Sequence, residues 1–187
     1  SWAPEGEMMS VESVLAAAEQ YSAARHVVVT GGEPMIAPDL PALTKALRGR
    51  GYHITIETAG TVYAELECDL LSVSPKLGNS TPWEREQGRW AKAHERLRFQ
   101  PEGARRLIER YDYQLKFVVV SEADLAEIID WLAATGASRD RVLLMPEGVM
   151  HQEVAERGRM LAEICKAEGF RYTPRLHVDL WGDRRGV

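Results

Sequence analysis

The sequence contains only two cysteines, Cys68 and Cys165, almost a hundred positions apart. Cysteines so widely separated form no local metal-binding motif and give no sign of an oxidising compartment, so each is expected to be an inert, buried core residue. Long apolar runs are lacking too. None approaches the roughly 20 residues that span a bilayer, and Ser1 to Glu7 are polar and acidic where a secretory leader would be apolar. Nor is there an excess of positive charge: 23 lysines and arginines face 28 acidic residues, a net charge of −5. That balance disfavours nonspecific binding to nucleic acid or to an anionic membrane, both of which need a basic surface. A nucleophile elbow, a phosphate-binding loop and a dinucleotide fingerprint are all missing. The chain also has no internal repeat and no low-complexity segment. The expected compartment is the cytoplasm.

What is present is an ordinary globular composition, 45% hydrophobic and 27% charged over 187 residues, which favours one domain, 1–187, around a single core. Ser10 is placed to cap a helix over 11–24. The β-branched run 26–30 reads as a buried strand. A helix over 40–50 follows, with Asp39 as its cap and Pro41 in its first turn. Strands are expected at 52–57 and 69–73. The stretch 77–100 is polar, with Trp83 and Trp90 among many charges, and reads as an insertion or lid. Beyond it, helices at 102–109, 123–134 and 152–168 alternate with strands at 114–120, 141–144 and 175–180. Strands separated by helices imply βα units and a parallel sheet. Their continuous apolar runs predict burial on both faces. Six strands are too few for an eight-fold barrel, so the expected fold class is α/β, a partial (open) parallel β/α barrel.

In such folds ligands bind beyond the carboxyl ends of the strands. The first strand ends in Thr30-Gly31-Gly32-Glu33-Pro34 and the second in Glu57-Thr58-Ala59-Gly60. The third runs into Ser74-Pro75-Lys76, the fifth into Met145-Pro146-Glu147-Gly148, and the last holds His177. Gly31-Gly32 lets a ligand approach the backbone, and Glu33 could accept hydrogen bonds from an ammonium group. A plain βα turn explains the same string equally well. Lys76 could reach a carboxylate or phosphate, or be a surface lysine. Glu57 needs a partner if buried, whether protein or ligand. Lys116, inside an apolar run, must snorkel, pair or face a cavity. His177 reads as a satisfied core histidine or, less simply, as a functional one. The arginines between positions 85 and 106 are interleaved with glutamates and read as a solvated face.

Taken in order, these strings resemble the 7-carboxy-7-deazaguanine synthases of the radical S-adenosylmethionine superfamily. The resemblance runs through Val29–Pro34, Ile56–Thr61, Val73–Lys76, Leu115–Val119, Met145–Gly148 and the ending Trp181-Gly182-Asp183-Arg184-Arg185-Gly186-Val187. It implies a partial barrel that converts 6-carboxy-5,6,7,8-tetrahydropterin to 7-carboxy-7-deazaguanine with loss of ammonia. The implied cofactors are S-adenosylmethionine, a 4Fe–4S cluster and magnesium. A flavodoxin or ferredoxin as electron donor and a homodimeric state are implied as well.

Carried over by position, Gly32 and Glu33 would hold the methionine end of S-adenosylmethionine. Ser74, Pro75 and Lys76 would line the same cofactor, and Met145, Pro146 and Glu147 would lie near its adenosine. Thr30 and the carboxylate of Val187 would contact the pterin. The three cluster cysteines of the resemblance have no counterpart in this sequence. They are expected upstream of Ser1, so residues 1–187 alone are not expected to assemble the cluster or turn over. Two other readings stay open at this stage: a radical enzyme with a different substrate, such as a glycyl-radical activase, and a non-catalytic α/β domain that binds S-adenosylmethionine or a nucleotide.

Overall fold

The computed structural model describes residues 6–184. Six strands form one sheet in the order β1 to β6, and every neighbouring pair is parallel. The strands are β1 (His26–Val29), β2 (His53–Thr58), β3 (Leu70–Val73), β4 (Tyr113–Val119), β5 (Val142–Pro146) and β6 (Arg171–Tyr172). The main helices are α1 (Val11–Glu19), α2 (Leu40–Gly49), α3 (Ala91–Arg98), α4 (Pro101–Arg110), α5 (Asp124–Thr135), α6 (His151–Glu168) and α7 (Leu176–Trp181). A strand order that follows the chain order, with a helix between most strands, is the open β/α barrel expected from the sequence.

Local chemistry accounts for most boundaries. Ser10 caps α1, its Oγ accepting from the Ser13 amide at 3.2 Å. Asp39 occupies the N-cap of α2, but its side chain makes no capping hydrogen bond. Proline in the first turn of α2, where no donor is needed, starts that helix instead. Gly136 and Gly169 end α5 and α6 in the left-handed conformation.

The helices press on one face of the sheet. Ile54, Ile56, Leu71, Val73, Leu115, Phe117, Val142 and Leu144 are at most 1% exposed there and belong to one apolar core with Leu47, Leu107, Ile128 and Leu161. Each such side chain contributes roughly 1.5–3 kcal/mol by leaving water. The opposite face is different. Burial alternates along β2 and β4, so these two strands are not sealed on both sides among the described residues, whereas β3 and β5 are buried over most of their length as expected. Thr55, Glu57, Gln114, Lys116 and Val118 lie half-buried on this second face. The apolar runs were therefore a poor guide: Glu57 and Lys116 sit where a sealed sheet would have carried aliphatic residues.

Two strands also depart from expectation. β1 is an edge strand whose burial alternates between exposed and half-buried, with Val28 56% exposed, rather than a buried strand. The segment 175–180 is helical. Leu144 O accepts from the Thr173 amide, one residue past β6, and Pro174, whose ring fixes φ, follows where the chain leaves the sheet. The chain turns instead, with Arg175 O accepting from the amides of Val178 and Asp179. His177 accordingly lies exposed on α7 and not on a strand.

Residues 77–100 carry two 3-10 turns and the helix α3. Leu77 joins the main core, and Phe99 packs edge-on against Trp131 of α5 with ring centroids 4.7 Å apart. Glu127 of α5 binds both ends of the segment, accepting from the Gly78 amide at 2.8 Å and pairing with Arg98.

Candidate functional site

The turn after β1 is built around one carboxylate. Glu33 accepts from the Met35 amide at 3.1 Å, from the Thr58 hydroxyl at 2.7 Å and from the Ala59 amide at 2.9 Å. Thr58 Oγ1 in turn accepts from the Gly60 amide at 3.0 Å. The carboxyl ends of β1 and β2 are thereby locked together, and most of the acceptor capacity of Glu33 is used within the protein. Gly31, at φ 155°, and Gly32 are left exposed beside it, and a Cβ on either would meet nothing within 4 Å. The string thus presents bare backbone to solvent, with Glu33 as its anchor rather than as an open receptor.

Behind the turn lies a polar row set by strand register. Glu57, Ser72 and Gln114 are direct neighbours across β2, β3 and β4. Gln114 Nε2 donates to Ser72 Oγ at 3.0 Å, and Lys116 Nζ lies 2.9 Å from Glu57 Oε1. The Thr30 hydroxyl donates to the other oxygen of Glu57 at 3.4 Å. Of the readings open for Glu57 and Lys116, the structure selects mutual pairing. Ser72 and Gln114 were not singled out in the sequence, because a serine and a glutamine carry no signal until register aligns them.

A cavity of about 810 Å³ opens at the carboxyl ends of the middle strands. Its lining includes Pro75, Lys76, Asn79, His94, Glu147 and Arg175. Ser74 leads into it, its amide extending the β2–β3 ladder by donating to Thr58 O at 2.7 Å. Register places Met145 beside Val118, which lines the cavity, whereas Pro146 is buried beside Val119 on the helix side. Glu147 lines the cavity, but both its carboxylate and its carbonyl accept from Arg157 Nη1, at 2.8 and 2.7 Å. Val187 lies outside the described residues.

Lys76 joins the turn to the cavity. It retains accessible surface inside the opening, yet the walls strip water from its ammonium and hold its pKa below the ordinary lysine value. Lys116 adds repulsion, and Glu33 and Glu57 partly offset both effects. His94 reaches the cavity from α3, with the Thr81 hydroxyl 3.1 Å from its Nδ1. Burial lowers its pKa as well. Asn79, His94 and Arg175 were missed in the sequence reading: the first two sit in the stretch read as an insertion or lid, and Arg175 was placed on a strand.

Comparison with known proteins decides the family. The radical SAM superfamily model matches residues 1–98. The 7-carboxy-7-deazaguanine synthase of Halobacterium salinarum is 42% identical over 98% of this chain and 75% of its own length. That of Rhodopirellula baltica is 39% identical over 100% of this chain and 73% of its own. This chain belongs to the 7-carboxy-7-deazaguanine synthase family. Among solved structures, QueE from Escherichia coli superposes with a TM-score of 0.61 at 28% identity, covering 89% of this chain and 64% of that one. An archaeal TYW1 shares the fold at 14% identity, with a TM-score of 0.55.

The family brings two cofactors, S-adenosylmethionine and a 4Fe–4S cluster. The first fits what is present: an open glycine turn, and a cavity of sufficient size with a buried arginine nitrogen in its lining that has no partner among the described residues. The second does not fit the described residues. No three histidine, cysteine or acidic side chains among them are grouped to hold a metal. Burial pushes the Cys68 thiol up to about 11 and raises that of Cys165 too, the reverse of what a thiolate ligand needs.

Proposed function

We propose that this chain forms the cofactor- and substrate-binding barrel of a radical SAM carbon–nitrogen lyase that converts 6-carboxy-5,6,7,8-tetrahydropterin to 7-carboxy-7-deazaguanine. The observation that carries this reading is that Pro75, Lys76 and Glu147 line one cavity, with the carboxylates of Glu33 and Glu57 acting on Lys76, in a chain of this family. S-adenosylmethionine, when bound, supplies the group that abstracts a substrate hydrogen.

The chain's own residues bind and orient. Gly32 and its turn receive the methionine end through backbone groups, since the Glu33 carboxylate is engaged with β2. Ser74, Pro75 and Lys76 line the cofactor, and Met145 and Glu147 border its adenosine, with Pro146 between them packed on the helix side. Thr30, with its hydroxyl on Glu57, faces the pterin. Segment 77–100 serves as a lid over the cavity, tethered to α5 through Glu127. Magnesium, if bound, would supply Lewis-acid assistance to the reaction. A flavodoxin or ferredoxin supplies electrons, and the enzyme acts as a cytoplasmic homodimer. No helix among the described residues is long and apolar enough to cross a membrane.

The test is anaerobic incubation of the full-length protein, reconstituted with its cluster, with S-adenosylmethionine, a reductant and the carboxytetrahydropterin. Formation of 7-carboxy-7-deazaguanine and ammonia, followed by mass spectrometry, is expected. Cleavage of S-adenosylmethionine without either product would reject the substrate assignment.

A further inference from the structure

The cavity contains a cation for which the described residues provide no counter-ion. Arg175 lines it, and its Nε is buried without a hydrogen-bond partner. No carboxylate among the described residues pairs with its guanidinium. An unmet guanidinium donor away from water is expensive, because it loses hydration and gains nothing in return.

The other charged groups around the cavity do not relieve it. Lys76 is a second cation on the same wall, while the one carboxylate in the lining, that of Glu147, is held by Arg157. Glu33 and Glu57, the carboxylates that act on Lys76, are themselves engaged with Thr58 and Lys116. Burial holds the pKa of His94 below its ordinary value. The cavity is therefore a region of net positive potential with an unsatisfied planar donor in it. The backbone also fixes Arg175 in place: it is the N-cap residue of α7, following Pro174 and the end of β6.

We propose that Arg175 is a ligand-binding residue that receives a carboxylate through Nε and an adjacent Nη. A guanidinium suits this because its fork matches the two carboxylate oxygens, which an ammonium does not. The assignment rests on the function proposed above, in which two molecules carry a carboxylate, S-adenosylmethionine and the pterin. The shared chemistry is the carboxylate, and analogues lacking it separate the sources.

Equilibrium binding is measured for wild type, R175Q and R175K, anaerobically, with no turnover. The ligands are S-adenosylmethionine and its decarboxylated analogue, then the carboxytetrahydropterin and the same tetrahydropterin without its carboxylate. For one of the two carboxylate ligands, R175Q is expected to weaken binding about tenfold to a hundredfold, while its decarboxylated partner binds both proteins equally. R175K should recover only part of the loss. The pair that responds identifies the source.

Equal affinity of wild type and R175Q for both carboxylate ligands would overturn the role of Arg175 while leaving the proposed function standing. So would an equal loss for a ligand and its decarboxylated analogue. If wild type binds no member of either pair, both readings fall. Circular dichroism and thermal melting of R175Q check that the fold persists. Removing an unpaired buried charge should leave the melting temperature unchanged or slightly raised.

Discussion

Lys116 Nζ lies 2.9 Å from Glu57 Oε1, joining β4 to β2 across the width of β3 on the ligand face of the sheet. The Lys116 side chain is 16% exposed and that of Glu57 38%, so the pair is half-buried and only partly screened. Removing one partner leaves a charge with little to replace its attraction. K116M is expected to lose about 1–2 kcal/mol in urea unfolding, between the values for surface pairs and for fully buried ones. The double variant K116M/E57Q should lose less than the two single variants summed, and strict additivity would mean that the pair carries no coupling energy.

Glu33 gives a second prediction. Its carboxylate accepts three protein hydrogen bonds, so E33A should cost about 2–3 kcal/mol and free the carboxyl end of β1 from β2. E33Q should cost less. If E33A binds S-adenosylmethionine as wild type does, the anchored turn is not part of the cofactor site.

Gly60 and Gly136 form a controlled comparison, both with φ near +75°. A Cβ at Gly60 would lie 2.6 Å from Val73 Cγ1, whereas at Gly136 it would meet nothing. G136A should therefore cost only about 1 kcal/mol of left-handed strain. G60A should cost about 2–4 kcal/mol, because overpacking of the core adds to that strain. Similar melting temperatures for the two variants would refute the close approach of the β2–β3 loop to the core.

Lys76 predicts a dependence on pH. Its folded-state pKa lies below the ordinary lysine value, chiefly through burial, so the folded chain binds that proton less tightly than the unfolded chain. Charged Lys76 thus opposes folding at neutral pH, and the penalty fades as pH rises through the folded and then the unfolded pKa. K76M should be more stable than wild type near neutrality, with the difference closing toward the model-peptide value of about 10.4. The same substitution should weaken ligand binding. Denaturant titrations at both pH values, alongside calorimetry, check the two halves.

The two cysteines supply the last prediction. With both thiols held protonated by burial, alkylation by iodoacetamide at pH 8 should be slow in the native protein and fast after unfolding. The iron content of the reconstituted protein should be the same in C68A/C165A as in wild type. A drop would make one of them a cluster ligand.

The sequence alone determined the succession of strands and helices, the parallel sheet and the strand ends worth watching. These follow from local chemistry: β-branched runs, proline in first turns, and glycines where the backbone must turn. The same local reading failed at 175–180, because whether Leu176, Val178 and Leu180 extend as a strand or coil as a helix depends on what remains for them to pair with. The last β5–β6 bond is made by the Thr173 amide, and beyond it the helix satisfies the backbone internally.

It also failed on the second face of the sheet. Only tertiary structure sets the strand register, and register decided that Glu57 would meet Lys116, that Ser72 would meet Gln114, and that Glu33 would become an anchor instead of a receptor. The unpaired nitrogen of Arg175 belongs to the same class of fact. An arginine's charge is written in the sequence, but that no described residue partners its Nε follows from everything packed around it.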